Sequence, residues 1–538
     1  MTAQKPFSTK SPDQTWDYIV IGSGMGGLST AALLSLLGKK CLVLEQHYVP
    51  GGFTHTFKRK KWVWDVGVHA VGEVSDRAVV GRIMKAVTRG KLEWTSLGNI
   101  YDEFYYPDDF RIDFPGDRRQ FEANLHTAFP GERAAIDEYL KRVRTVGASM
   151  KKYYLSRLLP TSVAALTDGL FAADAHRHLA LRTKDVLDEL TANDKLKTVL
   201  ASQWGYYGSP PSRSSFAIHA LVVKHFWHGG YYPVGGAKQI ADAMMETIKD
   251  GGGWTRISSE VDEIVIENGR AVGVRLKDGG EVIRSKAVVS GAGGLGTVDR
   301  LLPAAYKGKR WAREIARLRP SPAHICLNIG FKGDIRKAGA GAANKWFYET
   351  WDPEKDLWYF DDPATEPAIL YTSFPSLKDP KHEAGPEELH TGEVVTFVPW
   401  EAFEKWKDAR WMRRGDDYEA VKKDISERVL KQLLRHMPGL EPFVAYTELS
   451  TPLSTEHFTR APSGAIYGIE PTPERFANRW LRPPTPVKGL YLSGGDVATV
   501  GVVGAFVGGM LCAAAAEPRK ALAFLRQATN VREHALVA

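Results

Sequence analysis

The chain has 538 residues, which is too long for one ordinary hydrophobic core and indicates two or three domains. Its contents of 43% hydrophobic and 25% charged residues are ordinary for a soluble globular protein. Over this length a formal charge of +8 does not indicate a nucleic-acid partner, although it fits an acidic partner or an anionic membrane surface. The three cysteines have no paired spacing, so we expect neither disulfides nor a metal site. Reduced cysteines indicate a reducing compartment, and we expect a cytoplasmic location.

The N-terminal segment, residues 1–16, lacks the apolar stretch of a signal peptide. We expect it to be a disordered leader. The apolar run from Asp17 to Ile21 that follows predicts a buried strand.

A glycine-rich turn comes directly after this strand. Gly22, Gly24 and Gly27 have the G-x-G-x-x-G spacing of dinucleotide-binding turns, in which backbone N–H groups and a helix N-terminus face a pyrophosphate. An Ala- and Leu-rich helix is predicted next, followed by a strand from Cys41 to Glu45 that ends in an acid. The Glu45 carboxylate is positioned to accept hydrogen bonds from ribose hydroxyls. Strand, turn, helix, strand and acid together predict a bound dinucleotide.

The residues after Glu45 favour FAD over NAD. Gly51 and Gly52 allow a second close backbone approach, whereas an NAD-binding domain would continue into its next helix. Instead, "THTF", a basic turn "KRKK" and "WVWD" predict a β-hairpin. We interpret "KRKK" as a solvated turn and not as a nucleic-acid patch.

The end of the chain contains a second strand–turn–helix pattern. A strand from Gly489 to Ser493 is followed by a glycine turn, Asp496 and a helix. The stretch from Val497 to Ala516 is uncharged and long enough to span a bilayer. Its glycines favour a buried helix packed closely on a cofactor.

Between these two segments lies a predicted β-meander, whose last strand runs from Ala287 to Ser290. Gly291, Gly293 and Gly296 repeat the G-x-G-x-x-G spacing, but no second strand ending in an acid follows. We interpret this match as incidental. No dedicated nicotinamide domain is indicated, so the electron donor stays open.

The two glycine-rich segments, with "AVVSGAGGLGTVDRLLP" and "TPLSTEHFTRAPSGAIYG", resemble flavoproteins of the phytoene desaturase, carotenoid isomerase and retinol saturase superfamily over nearly the whole chain. The resemblance implies an α/β fold, with a Rossmann-type FAD-binding domain and a mixed α+β substrate domain, as in amine oxidases and desaturases. It also implies that Asp496 binds the ribityl chain or pyrophosphate and that Val261 contacts the adenine side. Phe53 and Gly495 replace a small and a polar residue that are usual in relatives, so no particular substrate is implied.

The residues expected to bind FAD come from the five segments described above. They are Gly22, Ser23, Gly24, Met25, Gly26, Gly27, Glu45, Gln46, Gly51, Gly52, Phe53, Thr54, Val261, Gly291, Gly495, Asp496, Val502, Val503 and Gly504. By the resemblance, the last three lie beside the flavin ring, at a helix start whose dipole stabilises negative charge on the reduced flavin.

The pattern divides the chain into interleaved pieces. FAD-binding pieces are expected at 17–71, 226–309 and 483–538, and substrate-domain pieces at 72–225 and 310–482. The substrate pieces are rich in aromatic and bulky apolar residues. Core packing explains most of these residues, and a tunnel for a long apolar substrate is the functional alternative. Tyr153–Phe171 is the candidate for peripheral membrane contact.

Three residues are candidates for acid–base or flavin-facing roles. His69 follows the glycine pair and has an ordinary pKa near neutrality, although a structural histidine is an equal alternative. Tyr467 and Glu456 lie in the segment before the second glycine turn and could face the flavin. We expect no metal, since the pair His176 and His178 lacks partners at ligand spacing.

Three functions remain open. The first is an FAD enzyme that saturates, desaturates or isomerises C=C bonds of a long apolar polyene or unsaturated lipid by hydride transfer at flavin N5. The second is an amine-oxidase-like flavoenzyme. The third is a non-catalytic lipid- or prenyl-binding protein of the same fold.

Overall fold

The computed structural model describes residues 5–164, 171–277 and 279–530. The strands, in chain order, are β1 (Phe7–Ser8), β2 (Trp16–Ile21), β3 (Cys41–Leu44), β4 (Thr56–Arg59), β5 (Trp62–Asp65), β6 (Trp94–Ser96), β7 (Ile100–Tyr105), β8 (Arg111–Pro115), β9 (Tyr231–Pro233), β10 (Trp254–Arg256), β11 (Val261–Glu267), β12 (Arg270–Leu276), β13 (Val282–Ser290), β14 (Ala323–Lys332), β15 (Asn344–Tyr348), β16 (Ile369–Ser373), β17 (Leu389–Val398), β18 (Val444–Ser450) and β19 (Leu490–Leu492).

The α-helices surround the sheets. They are α1 (Met25–Leu36), α2 (Val79–Val87), α3 (Arg118–Ala128), α4 (Arg133–Ser156), α5 (Ala173–Ala180), α6 (Thr183–Leu190), α7 (Asp194–Ala201), α8 (Phe216–His225), α9 (Lys238–Asp250), α10 (Gly294–Gly296), α11 (Ala304–Lys307), α12 (Arg310–Ala316), α13 (Asp416–His436), α14 (Pro452–Thr459), α15 (Pro473–Ala477), α16 (Gly501–Ala516) and α17 (Pro518–Thr529).

The first sheet is the predicted nucleotide-binding sheet. Its strand order is β1-β10-β3-β2-β13-β12-β11, and β19 also pairs with β13. The strands β3, β2, β13 and β19 run parallel, as they must when helices cross over between them. Their apolar runs are buried on both faces, which is typical of parallel strands. The carboxyl end of β13, which ends the meander, therefore lies at the same edge of the sheet as both glycine turns.

The predicted disordered leader is wrong for the residues that the structure describes. β1 pairs in parallel with β10, with Phe7 opposite Thr255. The Trp254 indole N–H donates to the backbone oxygen of Lys10 at 2.9 Å, and Trp16 is buried at the start of β2. These long-range hydrogen bonds order a segment whose own sequence has no strand periodicity.

The second sheet forms the substrate domain. Its strand order is β18-β14-β17-β16-β15-β7-β8, so it combines strands from both predicted substrate pieces. The predicted hairpin of β4 and β5 is an antiparallel pair, and so are β7 and β8. The segment after β18 begins with the helix α14. Pro452 in its first turn suits a helix start.

The uncharged C-terminal stretch forms the buried helix α16, packed on α1. Added Cβ atoms would lie 2.0 Å from the oxygen of Gly494 at Gly508 and 1.9 Å from Ser29 Oγ at Gly509. Gly509 therefore allows α16 to touch α1, and Gly508 allows α16 to touch the second glycine turn. In residues 5–164, 171–277 and 279–530, no helix is both long and apolar enough to cross a membrane.

Candidate flavin-binding active site

One connected cavity runs from the first glycine turn to the second sheet. Most of the predicted FAD-binding residues line it, and so do two of the three catalytic candidates: Gly22, Gly24, Met25, Gly26, Glu45, Gln46, Gly52, Phe53, Thr54, Val261, Gly291, Gly495, Asp496, Val502, His69 and Tyr467. Ser23, Gly27, Gly51, Val503, Gly504 and Glu456 do not form its wall. The structure thus brings together segments that are separated by more than four hundred residues of chain.

Some glycines of the first turn are needed for packing within the protein, and another leaves space for a ligand. A Cβ added to Gly26 would lie 2.3 Å from the Cα of Gly494, and one added to Gly27 would lie 2.1 Å from the oxygen of Gly22. These two glycines are needed for packing within the protein. A Cβ added to Gly24 would meet no atom within 4 Å. The space above Gly24, at the N-terminus of α1, is therefore open for a pyrophosphate, whose charge that helix end favours.

The predicted ribose acid is held rigidly. Glu45 Oε2 accepts hydrogen bonds from the N–H of Ser23 at 2.9 Å and from its hydroxyl at 2.6 Å, and Oε1 accepts from the N–H of His47 at 2.8 Å. Ser23 Oγ in turn accepts from the N–H of Gly51 at 2.9 Å. Burial raises the pKa of Glu45, against the effect of these hydrogen bonds. Ser23 and Gly51 thus shape the site from behind its wall.

Asp496 joins three segments in the second glycine turn, which packs against the first turn through Gly494 and Gly26. Its carboxylate accepts hydrogen bonds from the backbone N–H groups of Gly294 at 2.7 Å and Ile469 at 3.0 Å. The buried Arg475 guanidinium donates to the oxygens of Ile469 and Gly495. A second helix N-terminus, Gly501 of α16, also reaches the cavity, and a Cβ at Gly501 would meet no atom within 4 Å. The N-termini of two helices, α1 and α16, thus reach the cavity wall.

The far part of the cavity has an apolar and aromatic wall. It is lined by Tyr206, Trp346, Ile369, Tyr371, Val395, Phe397, Ile466 and Tyr467. The Tyr467 hydroxyl donates to the backbone oxygen of Gly205 at 3.1 Å, and burial raises its pKa well above the usual value. Tyr467 is therefore a neutral wall residue. Glu456 lies on α14 and is not one of the residues that line the cavity.

His69 lies at the bottom of this wall, beside buried ionisable groups. Its Nδ1 is 2.9 Å from Glu393 Oε2, although the ring is not turned into ideal hydrogen-bond alignment, and neither atom has another hydrogen-bond partner. Burial and the nearby Lys378 ammonium lower the pKa of His69 to about 3. His69 is therefore a neutral imidazole at physiological pH.

The buried groups behind His69 form a network of three carboxyls and one lysine. Lys378 Nζ donates to the backbone oxygen of His69 at 2.8 Å, to Ser373 Oγ at 2.6 Å and to Asn344 Oδ1. Asp102 Oδ1 accepts from Asn344 Nδ2 at 2.9 Å and from the Tyr206 hydroxyl at 2.7 Å. The network thus extends from His69 to Tyr206, a second residue of the cavity wall.

Sequence reasoning missed Glu393, Lys378 and Asp102. Glu393 is an acid within a largely buried strand, which is a signal that a sequence can carry, whereas Asp102 lies beside a second acid, Glu103, in a strand that mixes buried and half-buried residues. Lys378 follows a short 3₁₀ turn and has no such signal. His324 and Cys326 of β14 also line the cavity and were not singled out as site residues.

The comparisons with known proteins agree with this geometry. Residues 25–516 match the family described as flavin containing amine oxidoreductase. The chain belongs to this family. All-trans-retinol 13,14-reductase of Danio rerio is 33% identical over 518 residues, which cover 92% of this chain and 85% of the reductase. Chloroplastic prolycopene isomerase of Arabidopsis thaliana is 25% identical over 528 residues, which cover 93% of this chain and 82% of the isomerase. The structure of putrescine oxidase bound to putrescine matches with a TM-score of 0.61 at 15% identity, over 94% of this chain and all of that one.

These likenesses confirm the predicted relationship to retinol saturases and carotenoid isomerases and the predicted fold. They also identify the protein as a flavin-dependent oxidoreductase or isomerase. At 15% identity, putrescine oxidase shows the fold alone.

Proposed function

We propose that the protein binds FAD and reduces a C=C bond of a long apolar polyene of the retinoid or carotenoid class. The observation that carries the proposal is the continuity of the cavity. It joins the two glycine turns and helix N-termini to the apolar wall formed by residues such as Trp346, Ile369 and Phe397. An extended hydrocarbon fits such a wall because it needs burial and no polar partners. The reductase and the isomerase named above, to which the chain is similar, act on retinol and on prolycopene, as their names state.

FAD is the form of flavin that the turns support. The open space over Gly24 and the N-terminus of α1 suits a pyrophosphate, and Glu45 and Val261 suit the adenosine half. The bound flavin would supply the hydride. The protein would hold the polyene against the apolar wall, exclude water, and present His69 to the reacting carbons.

The test is product analysis. FAD-loaded, pre-reduced protein is incubated anaerobically with all-trans retinoids, with carotenoids and with unsaturated fatty acids, and the products are weighed by mass spectrometry. A product that gains two hydrogens supports the proposal. A product of unchanged mass but altered retention replaces reduction with isomerisation. Hydrogen peroxide released with amines in air, and no reaction with any polyene, would replace the proposal with an amine oxidase.

The failure of the protein to take up FAD would leave the non-catalytic lipid-binding alternative. The electron donor that reduces the flavin is to be found by offering nicotinamide nucleotides and reduced carriers to the oxidised protein and following its absorbance.

Peripheral membrane contact is part of the proposal, because such substrates dissolve in lipid. The candidate segment Tyr153–Phe171 includes residues 165–170, which lie outside the described residues. Tyr153 is fully buried, whereas Leu155, Val163 and Phe171 are 42%, 43% and 46% exposed. We expect Leu155→Ser with Val163→Ser to weaken co-sedimentation with anionic vesicles. Met412→Ser, at a residue that is 76% exposed elsewhere, is the control and should not. Equal sedimentation of all variants would contradict this contact.

A further inference from the structure

We infer that Glu393 and His69 form a two-residue proton relay, in which Glu393 loads the imidazole and the imidazole protonates the substrate carbon. The inference rests on the proposed function, because the reduction of a C=C bond needs a proton as well as a hydride. It deepens that function by naming the source of the proton.

The hydrogen-bond pattern identifies which of the three buried carboxyls carries a proton. Asp65 accepts with both oxygens, from the N–H of Ala237 at 3.0 Å and from the Tyr232 hydroxyl. Asp102 accepts from two side-chain donors. Glu393 accepts only once, at Oε1, from the N–H of Asp65 at 3.0 Å. A buried carboxylate needs donors to be stable, so Glu393 is the group that gains least from ionisation.

The same pattern fixes where the proton lies. Because Oε1 of Glu393 accepts an N–H, the proton of the neutral acid belongs on Oε2. Oε2 is the oxygen that faces His69 Nδ1 at 2.9 Å. A rotation of the ring is needed to align the two atoms, and catalytic hydrogen bonds are often poorly aligned before substrate binds.

Charge supports this assignment. Glu393 is fully buried, and burial raises its pKa to about 8, although the Lys378 ammonium acts in the opposite direction. Burial also raises the pKa of Asp65, with the neighbouring Glu393 as the second cause. Two carboxyls this close do not both ionise readily. With Lys378 as the nearby cation of the network, one of the carboxyls is favoured in its neutral form.

His69 is built to pass on a proton without becoming charged. Nδ1 faces Glu393, so Nε2 is the ring nitrogen left for the cavity, and none of the described residues hydrogen-bonds to Nε2. A neutral imidazole can release a proton from Nε2 while it accepts one at Nδ1. The low pKa of His69 excludes the imidazolium ion as the resting donor.

The relay delivers one proton to the alkene for each hydride that the flavin supplies. One alkene carbon forms a C–H bond with the hydride that the reduced flavin supplies. The other carbon forms a C–H bond with the proton from His69 Nε2, and that N–H bond breaks. Nδ1 takes the proton of Glu393 Oε2, whose O–H bond breaks, and a carboxylate is left near the Lys378 ammonium. The alkene gains two hydrogens, and the two electrons come from the flavin.

Of the seven titratable groups around the relay, four keep one protonation state across the pH range of the test, whereas the pKa values of Asp65, Asp102 and Lys378 lie at about 7, 6 and 7, below that of Glu393. The titratable groups that face the relay are Asp65, Asp102, Tyr232, His324, Cys326, Tyr371 and Lys378. Burial raises the pKa values of the two tyrosines and of Cys326 and lowers that of His324, so these four stay neutral between pH 6 and 9. Lys378 loses its charge more easily than usual, because burial lowers its pKa to about 7.

Glu393→Gln is the variant that tests the relay. The amide fills the same volume and can still donate to Nδ1, but it has no acidic proton to transfer. Glu349→Gln is the matched control. Glu349 also contacts a histidine, His436. Glu349 directly follows β15 and His436 ends α13, and neither residue lines the cavity. Anaerobic single-turnover oxidation of the pre-reduced flavin by a polyene is followed from pH 6 to 9.

We expect the wild-type rate to fall as the pH rises through about 8, because Glu393 then loses its proton. Glu393→Gln should lower the rate about 100-fold, the lower end of what general acid catalysis contributes, without changing FAD affinity. Its residual rate should lack the fall near pH 8. Glu349→Gln should react as the wild type does. A wild-type rate and pH profile in Glu393→Gln would overturn the relay.

A spectroscopic measurement keeps the inference testable without turnover. The infrared carbonyl band of protonated carboxylic acids should be present in the FAD-loaded protein at pH 7 and should lose the contribution of Glu393 above about pH 8. It should be reduced in Glu393→Gln and retained in Glu349→Gln. An unchanged band in Glu393→Gln would refute the protonated Glu393. If the wild type reacts with no polyene at any pH, it is the proposed function that fails.

Discussion

The carboxylate of Asp496 accepts a hydrogen bond from the backbone N–H of Gly294 at 2.7 Å. Its other oxygen accepts from the N–H of Ile469 at 3.0 Å. One side chain therefore fixes two backbone segments of the cavity wall. A hydrogen bond to a charged group contributes about 1.5–3 kcal/mol, so the loss of either one should be measurable.

We expect Asp496→Ala to weaken FAD binding by at least about 10-fold and to lower the free energy of unfolding, because two backbone donors lose their acceptor. Asp496→Asn should also weaken binding, since its NH₂ group meets an N–H donor. Asp299→Asn is the control, because Asp299 is an exposed acid that follows the glycine loop 291–296, to which Gly294 belongs. Flavin fluorescence titration gives the affinities. Normal flavin content in Asp496→Ala would show that this carboxylate does not shape the site.

Two neighbouring glycines should give opposite results. Without FAD, Gly24→Ala should be as stable as the wild type, because the added Cβ meets no atom within 4 Å and the Gly24 φ of −65° suits any residue. It should nevertheless bind FAD more weakly, because the Cβ occupies the space meant for the pyrophosphate. Gly26→Ala should be destabilised with or without FAD, since its Cβ would lie 2.3 Å from Gly494 Cα.

Thermal unfolding of apo and FAD-loaded samples separates the two glycines. Gly24→Ala should lose only the increase in Tm that FAD causes, and Gly26→Ala should lose stability in both samples. An unchanged FAD-induced shift in Gly24→Ala would mean that the pyrophosphate lies elsewhere.

The first turn could be predicted because its determinants are local. Gly22, Gly27 and the acid Glu45 lie within one strand–helix–strand unit, and their spacing carries the geometry. The buried network could not be predicted, because Glu393 receives its hydrogen bond from the N–H of Asp65, which is 328 positions away in the chain. The leader was misjudged for the same reason, since its order comes from pairing with β10.

The stability of the protein should depend on pH through Glu393. Its pKa is raised in the folded state, so the stability that it contributes is fully present below the unfolded value of 4.5 and is lost as the pH rises through about 8. Glu393→Gln has no such group. We therefore expect the free energy of unfolding of the wild type to fall, relative to that of Glu393→Gln, between pH 5 and pH 8.

The difference between the two proteins is the quantity to measure, by urea unfolding at several pH values. Burial lowers the pKa values of histidines such as His219 and His324, so these histidines make the free energy of unfolding rise with pH. They are present in both proteins, so their effect cancels in the difference. A difference that does not change with pH would mean that Glu393 is already ionised near pH 5.

His69→Ala should retain FAD, because the groups that shape the pyrophosphate site, among them Gly24, Glu45 and Asp496, lie on other segments. Its turnover should fall, because no other described side chain places a ring nitrogen opposite Glu393 Oε2. The truncation also leaves a space the size of an imidazole ring at the cavity wall. Added imidazole should therefore restore part of the rate in His69→Ala and should leave the wild type unchanged. Wild-type turnover in His69→Ala, with no response to imidazole, would assign His69 to structure alone.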